Sequence, residues 1–180
     1  MRRALVAMCG AAALALSLAA CAPEPDAGGA PTSGASGGTG SQSPTPAAEP
    51  TCETIIPADV VSQFDELGWT ASEQDFHIGA LVVPDGIHCV WGDHSVASDQ
   101  VQIYGWAPID DATAAEAQAS LEEQGWIREE ADGTVLLTED PAYAIVTDDE
   151  GYGMTYEFGD GWVRLADTKQ GLVLVGWPPA

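Results

Sequence analysis

The chain has 180 residues, with 28 Asp plus Glu against 5 Lys plus Arg and a formal net charge of -23 at pH 7. That length accommodates one domain, and the scarcity of basic residues argues against nucleic acid and against docking on anionic lipid, both of which need clustered Lys and Arg. The one long apolar run, Ala4 to Ala20, is interrupted by Cys9, Gly10 and Ser17 and falls short of the roughly 20 residues that a bilayer span requires, so it does not predict a permanent transmembrane helix.

Met1-Arg2-Arg3, the apolar stretch Ala4 to Leu16 and the small residues after it have the three-part layout of a secretory signal peptide over residues 1–20. Its ending, Leu18-Ala19-Ala20-Cys21, resembles the lipobox of bacterial lipoproteins. The resemblance implies acylation of Cys21 on sulfur, cleavage on its N-terminal side, and a lipid anchor holding the protein to the extracytoplasmic face of the cell membrane. Two or more acyl chains anchor stably, whereas one, at about 0.8 kcal/mol per buried methylene, is marginal. A soluble secreted protein cleaved after Ala20 is the alternative, and it does not require Cys at the next position. From Ala22 to Thr51 the chain uses only Ala, Pro, Gly, Ser, Thr, Gln, Asp and Glu. Such a composition cannot build a core, so residues 21–51 read as a lipidated Cys and a disordered tether with roughly 30 Å of average reach.

Residues 52–180 carry 25 acids, because Glu24, Asp26 and Glu49 precede them, against the bases Arg128, Arg164 and Lys169. This acidity reads as a solvated surface suited to a salty exterior, with a bias toward cationic partners as the alternative. Pro57 to Leu67 predicts a first helix, with Pro at its start, Val60, Val61, Phe64 and Leu67 on one face, and Gly68 as its stop. Ala80 to Val83 and Ile87 to Trp91 read as a hairpin about Pro84-Asp85-Gly86, followed by an alternating strand from Gln100 to Trp106. Ala112 to Gln124 predicts a second helix, with Asp110 and Asp111 at the start, a Thr113 to Glu116 capping box, Ala114, Ala117 and Leu121 inward, and Gly125 as the stop. Strands then follow at Trp126 to Glu130, Thr134 to Thr138, Ala142 to Thr147, Tyr152 to Phe158, Trp162 to Ala166 and Leu172 to Gly176. The predicted fold is α+β: a curved antiparallel sheet of about six to eight strands with two helices packed on one face.

With Cys9 in the signal peptide and Cys21 acylated, Cys52 and Cys89 remain, and two Cys in an exported domain read as one disulfide. A metal site using Cys89 with the nearby His88 and His94 is the alternative, although neither His follows a zinc-ligand spacing. Five of the six Trp follow Gly, and Trp69 recurs at Trp126 as Trp106 does at Trp162, which raises a duplication of two αβ halves against chance. The lipobox, the low-complexity tether, Cys52 followed by Ile55-Ile56-Pro57-Ala58-Asp59-Val60-Val61, and the Cys89-Val90-Trp91 strand together resemble the small lipoproteins of high-GC Gram-positive bacteria that carry a domain of unknown function. Those domains are similar in outline to extracellular sensor domains with an antiparallel sheet and two helices. The resemblance implies the location, the Cys52 to Cys89 pairing and the α+β fold, and it supplies no catalytic residues.

Motifs for chemistry are sparse. There is no Gly-x-Ser-x-Gly elbow, Lys169 follows no glycine-rich turn, and acid pairs such as Glu122-Glu123 carry little information in so acidic a chain. A triad drawing on His77, His88 or His94 needs a distant Ser. Asp148, Asp149 and Glu150 are candidate calcium ligands, but an EF-hand loop starting at Asp148 would place Gly159 where Glu is needed. Trp69, Trp106, Trp126 and Trp177, at element ends, are candidate ligand-contact residues, whereas Trp91 and Trp162 read as core. The sequence therefore predicts a lipid-anchored, non-catalytic binding or accessory module with no cofactor. Its expected partners are the membrane, through Cys21, and a peptide, protein or wall ligand of cationic character; a wall-acting hydrolase with a dispersed site and a passive spacer are the rivals.

Overall fold

The computed structural model describes residues 49–178, so the expected signal peptide, Cys21 and the expected tether up to residue 48 lie outside the described residues. Two helices, α1 (Ala58–Glu66) and α2 (Asp111–Glu123), accompany seven strands: β1 (Thr70–Ile78), β2 (Leu81–Gly92), β3 (Val101–Pro108), β4 (Ile127–Ala131), β5 (Thr134–Thr138), β6 (Thr155–Gly159) and β7 (Trp162–Ala166). All pairings are antiparallel, in one open sheet of order β1-β2-β3-β7-β6-β5-β4. The predicted α+β class, strand number and helix count all hold.

Both helices end as their glycines predict. Gly68 and Gly125 take positive φ, 74° and 91°, and the next residue closes the helix by donating from Trp69 N to the Phe64 carbonyl at 2.9 Å and from Trp126 N to the Leu121 carbonyl at 3.1 Å. The start of α2 differs from expectation. Asp110, not a Thr113 to Glu116 box, caps it: Oδ1 accepts from the backbone N–H of Ala112 and Thr113 at 3.0 Å each, and the Thr113 hydroxyl donates to Oδ2 at 2.7 Å. In α1, Phe64 is buried while Leu67, expected inward, is 65% exposed at the helix end.

The register separates the two faces of the sheet, since directly paired residues share a face. Cys89, Tyr104, Ala166, Thr155 and Thr138 form one such row. Over that face pack Ile55 and Ile56, Phe64 of α1, and Leu172 and Val175 of the C-terminal segment. Leu165, Tyr156 and Leu137 form a row on the other face, where Ala117 and Leu121 of α2 join Phe76, Val163 and Phe158. The helices thus lie on opposite faces, which corrects the expectation of both on one. Strands such as β5 and β7 are apolar on both sides, and a sheet of that kind needs a cover over each face.

Four further differences have local causes. β1 was not predicted, because only Phe76 and Ile78 of its nine residues are buried. Pro84-Asp85-Gly86 is not a hairpin turn: β2 runs through it, with Val83 to Gly86 bulging opposite the single residue Phe76 and Asp85 at φ 59°. Such a bulge is where a strand tolerates Pro. Ala142 to Thr147 is irregular, and β6 begins only at Thr155. Leu172 to Gly176 is not a strand either; Gln170–Leu174 is a 3-10 helix, and Leu172 and Val175 bury at a spacing of three while Val173 stays 79% exposed.

The strand order reads symmetrically about β7. A twofold rotation along that strand exchanges β1 with β4, β2 with β5 and β3 with β6, preserves every strand direction and swaps the faces, carrying α1 onto α2. In sequence, Val60, Phe64, Gly68 and Trp69 recur as Ala117, Leu121, Gly125 and Trp126 at a constant offset of 57. Trp69 and Trp126 thus each stand between a helix and an edge strand, at matching places in the strand order. Trp106 and Trp162 are not equivalents, because they lie in β3 and β7.

Candidate functional site

Cys52 and Cys89 are joined, with Cα atoms 5.6 Å apart. The bond fixes residues 52–56 to β2 under α1, and both sulfur atoms are consumed by it, which sets aside Cys89 as a metal ligand. His88 and His94 do not converge with a third ligand; among the described residues no group of three or more His, Cys, Asp or Glu is placed to hold a metal ion. His88 is half-buried, its Nε2 has no hydrogen-bond partner, and burial first, then the neighbouring His77, pushes its pKa down. His94 lies in an exposed turn, with Nε2 3.2 Å from the Val90 carbonyl.

The four candidate contact tryptophans are half-buried, each packed on a core. Trp69 stacks on Phe64 at 5.5 Å between ring centroids, Trp126 lies 5.3 Å from Tyr156, and Trp106 meets Trp177 edge-on at 6.5 Å. Trp91 is core, as predicted, at 2% exposed. Trp162 is half-buried beneath the Arg164 guanidinium, 5.3 Å from its ring.

All three described bases are paired. Arg164 bonds Glu157 through Nε at 2.6 Å and the Val175 carbonyl through Nη1 at 2.7 Å; Lys169 pairs with Glu129 and lies 3.9 Å from the Tyr152 ring centre; Arg128 pairs with Glu130. Three bases therefore meet the 26 acids of residues 49–178, Glu24 and Asp26 lying before them, so most carboxylates have no basic partner. Asp167 is a special case: its Oδ2 accepts from Ile103 N at 3.4 Å, and burial raises its pKa. Burial, then the charge of Asp167, pushes the Tyr104 hydroxyl up to about 12, and that hydroxyl donates to Gln102 at 2.6 Å.

The Asp148, Asp149 and Glu150 cluster lies in the segment joining β5 to β6. Asp148 serves the fold: Oδ1 accepts from Glu150 N at 3.1 Å and Tyr152 N at 2.8 Å, and Oδ2 from Gln170 N at 3.2 Å. Asp149 and Glu150 are exposed on the rim of a cleft of about 390 Å³ shared with Lys169 and Gln170. The same segment presents Tyr143, Ile145 and Val146 at 78%, 97% and 51% exposed. Sequence reasoning missed these three, because alternation from Ala142 to Thr147 imitates a strand. The available signal was the bracketing of that run by Asp140-Pro141 and Asp148-Asp149-Glu150-Gly151, two turn formers that isolate it from a sheet partner. The segment between β5 and β6 thus carries both exposed apolar side chains and exposed carboxylates within eight residues of chain. No protein-family model, curated protein or solved structure matches the chain.

Proposed function

We propose that the protein is a lipid-anchored component of the cell envelope whose folded domain acts as a non-catalytic binding or accessory module for a peptide, a protein or an envelope constituent. One observation carries the anchor: the basic start, the apolar stretch and Leu18-Ala19-Ala20-Cys21 stand ahead of a tether with no bulky apolar residue. The disulfide between Cys52 and Cys89 is consistent with an exported domain. Support for binding comes from the roles of the ionisable groups. Asp110 caps a helix, Asp148 ties a loop, and Arg164 and Lys169 close ion pairs, while the β5–β6 segment carries exposed apolar side chains and exposed carboxylates.

Metabolic labelling with a fatty acid and membrane fractionation test the anchor. Cys21→Ser is expected to abolish labelling and release the protein, and membrane retention of a correctly processed variant overturns the anchor. For the module, the melting temperature is followed against muropeptides, basic peptides, lipids and calcium in turn. A ligand at a hundred times its dissociation constant adds about 2.7 kcal/mol, a shift of several degrees; a flat panel argues for a spacer.

A further inference from the structure

The segment between β5 and β6 is held in one shape by its own contacts. Glu139 N donates to the Met154 carbonyl at 2.9 Å, closing its base. Asp140 accepts from Ala142 N through Oδ1 at 2.8 Å, and its carbonyl accepts from Tyr143 N at 2.8 Å. A Cβ on Gly153 would lie 2.7 Å from that of Ala144, so the strand leaving the loop passes tight against it. Asp148 bonds the loop to Gln170 beyond β7. The anchored loop leaves Tyr143, Ile145 and Val146 in solvent within four residues of one another, and apolar side chains exposed close together mark contact surfaces more often than scattered ones do.

We propose that this loop is the docking surface of the domain and that its partner is a basic protein segment, one that sets an apolar side chain against Ile145 and Tyr143 and flanking Lys or Arg against Asp149 and Glu150. The inference rests on the binding-module reading and names its surface and partner class. Charge selects among occupants. From residue 139 to 154 there are five acids and no base, and the neighbouring Lys169 is engaged by Glu129. A second copy would bring the same acidic surface against the first. The chain's own tether has no bulky apolar residue, and its charges are Glu24, Asp26 and Glu49. Anionic lipid headgroups meet the same repulsion. A cationic segment with an apolar anchor satisfies both halves of the surface and gains rate from electrostatic steering.

The test titrates a fluorescent amphipathic peptide of alternating Leu and Lys with the full chain, beside a version with Glu for Lys and vesicles of phosphatidylcholine. The Lys peptide is expected to bind, to weaken about tenfold or more with Tyr143→Ser plus Ile145→Ser, and to weaken severalfold with Asp149→Asn plus Glu150→Gln and with added salt. These side chains are exposed, so the variants keep the parent melting temperature. Absence of Lys-peptide binding overturns the proposal. Binding that ignores all four substitutions overturns the surface and leaves the binding-module reading standing. Vesicle binding that depends on Ile145 overturns it in favour of membrane contact, as does equal binding of the Glu peptide in favour of apolar stickiness alone.

Discussion

Phe76, fully buried, fills space that two glycines leave open. A Cβ on Gly105 would lie 2.7 Å from its ring, and one on Gly86 would lie 2.7 Å from its Cβ and 2.5 Å from that of Ala107. Overpacking of this kind costs typically about 1 to 3 kcal/mol, so Gly105→Ala should lower the urea midpoint by that equivalent, and an unchanged midpoint would show that Phe76 yields freely. Asp167 gives a prediction with a pH signature. Burial raises its folded pKa above the usual 3.8, so its neutral form fits the fold, and the stability that form confers is present below the unfolded value and lost as pH rises through the folded one. Asp167→Asn is therefore expected to melt higher than the parent at pH 7, with the gain disappearing below about pH 3.8. Neither role was legible in the sequence. Gly105-Trp106 looks like other Gly-Trp pairs that end helices or turns, and nothing local distinguishes the half-buried Asp167 from the solvated acids around it.

Helices were the most legible elements because a single helix carries its own signal: apolar residues at spacings of three and four, then glycine. Strands depend on neighbours. β1 carries Glu73 and Asp75 exposed along a sheet edge, and only Phe76 and Ile78 declare it; such charges guard an edge against further pairing while erasing alternation. Leu172 to Val175 looks more strand-like than β1 and forms a 3-10 turn instead, because β7 is flanked on both sides by β3 and β6 and offers no free edge. The location of each helix likewise depended on the whole sheet. Asp110 supplies a test at this scale. The Thr113 backbone N–H and hydroxyl hold its carboxyl below the usual 3.8, so the stabilisation it gives is present above that value and lost as pH falls through its folded pKa. Asp110→Ala should melt below the parent at pH 7, and the gap should narrow on acidification, while Asp110→Asn keeps the cap. Equal melts of Asp110→Ala and parent at pH 7 would contradict the capping role.

At the scale of the whole molecule, one covalent cross-link offsets a heavily acidic surface. A disulfide spanning 37 residues contributes about 4 kcal/mol on the chain-entropy account, and reduction is expected to lower the melt by many degrees at low salt. Added salt should recover part of the loss by screening the carboxylates; an unchanged melt on reduction would show the bond to be dispensable. The central position of β7 has another consequence. It is the last strand in chain order yet joins two meanders, Tyr104 pairing with Ala166 and Thr155 with Ala166. A chain synthesised N-terminus first delivers β1 to β3 and β4 to β6 before their shared neighbour arrives. Until then β3 and β6 are open templates for other strands. The vulnerable moment in this protein's life is thus the interval before Trp162 to Ala166 emerge, and truncation ahead of Trp162 should yield aggregate in place of a smaller folded domain.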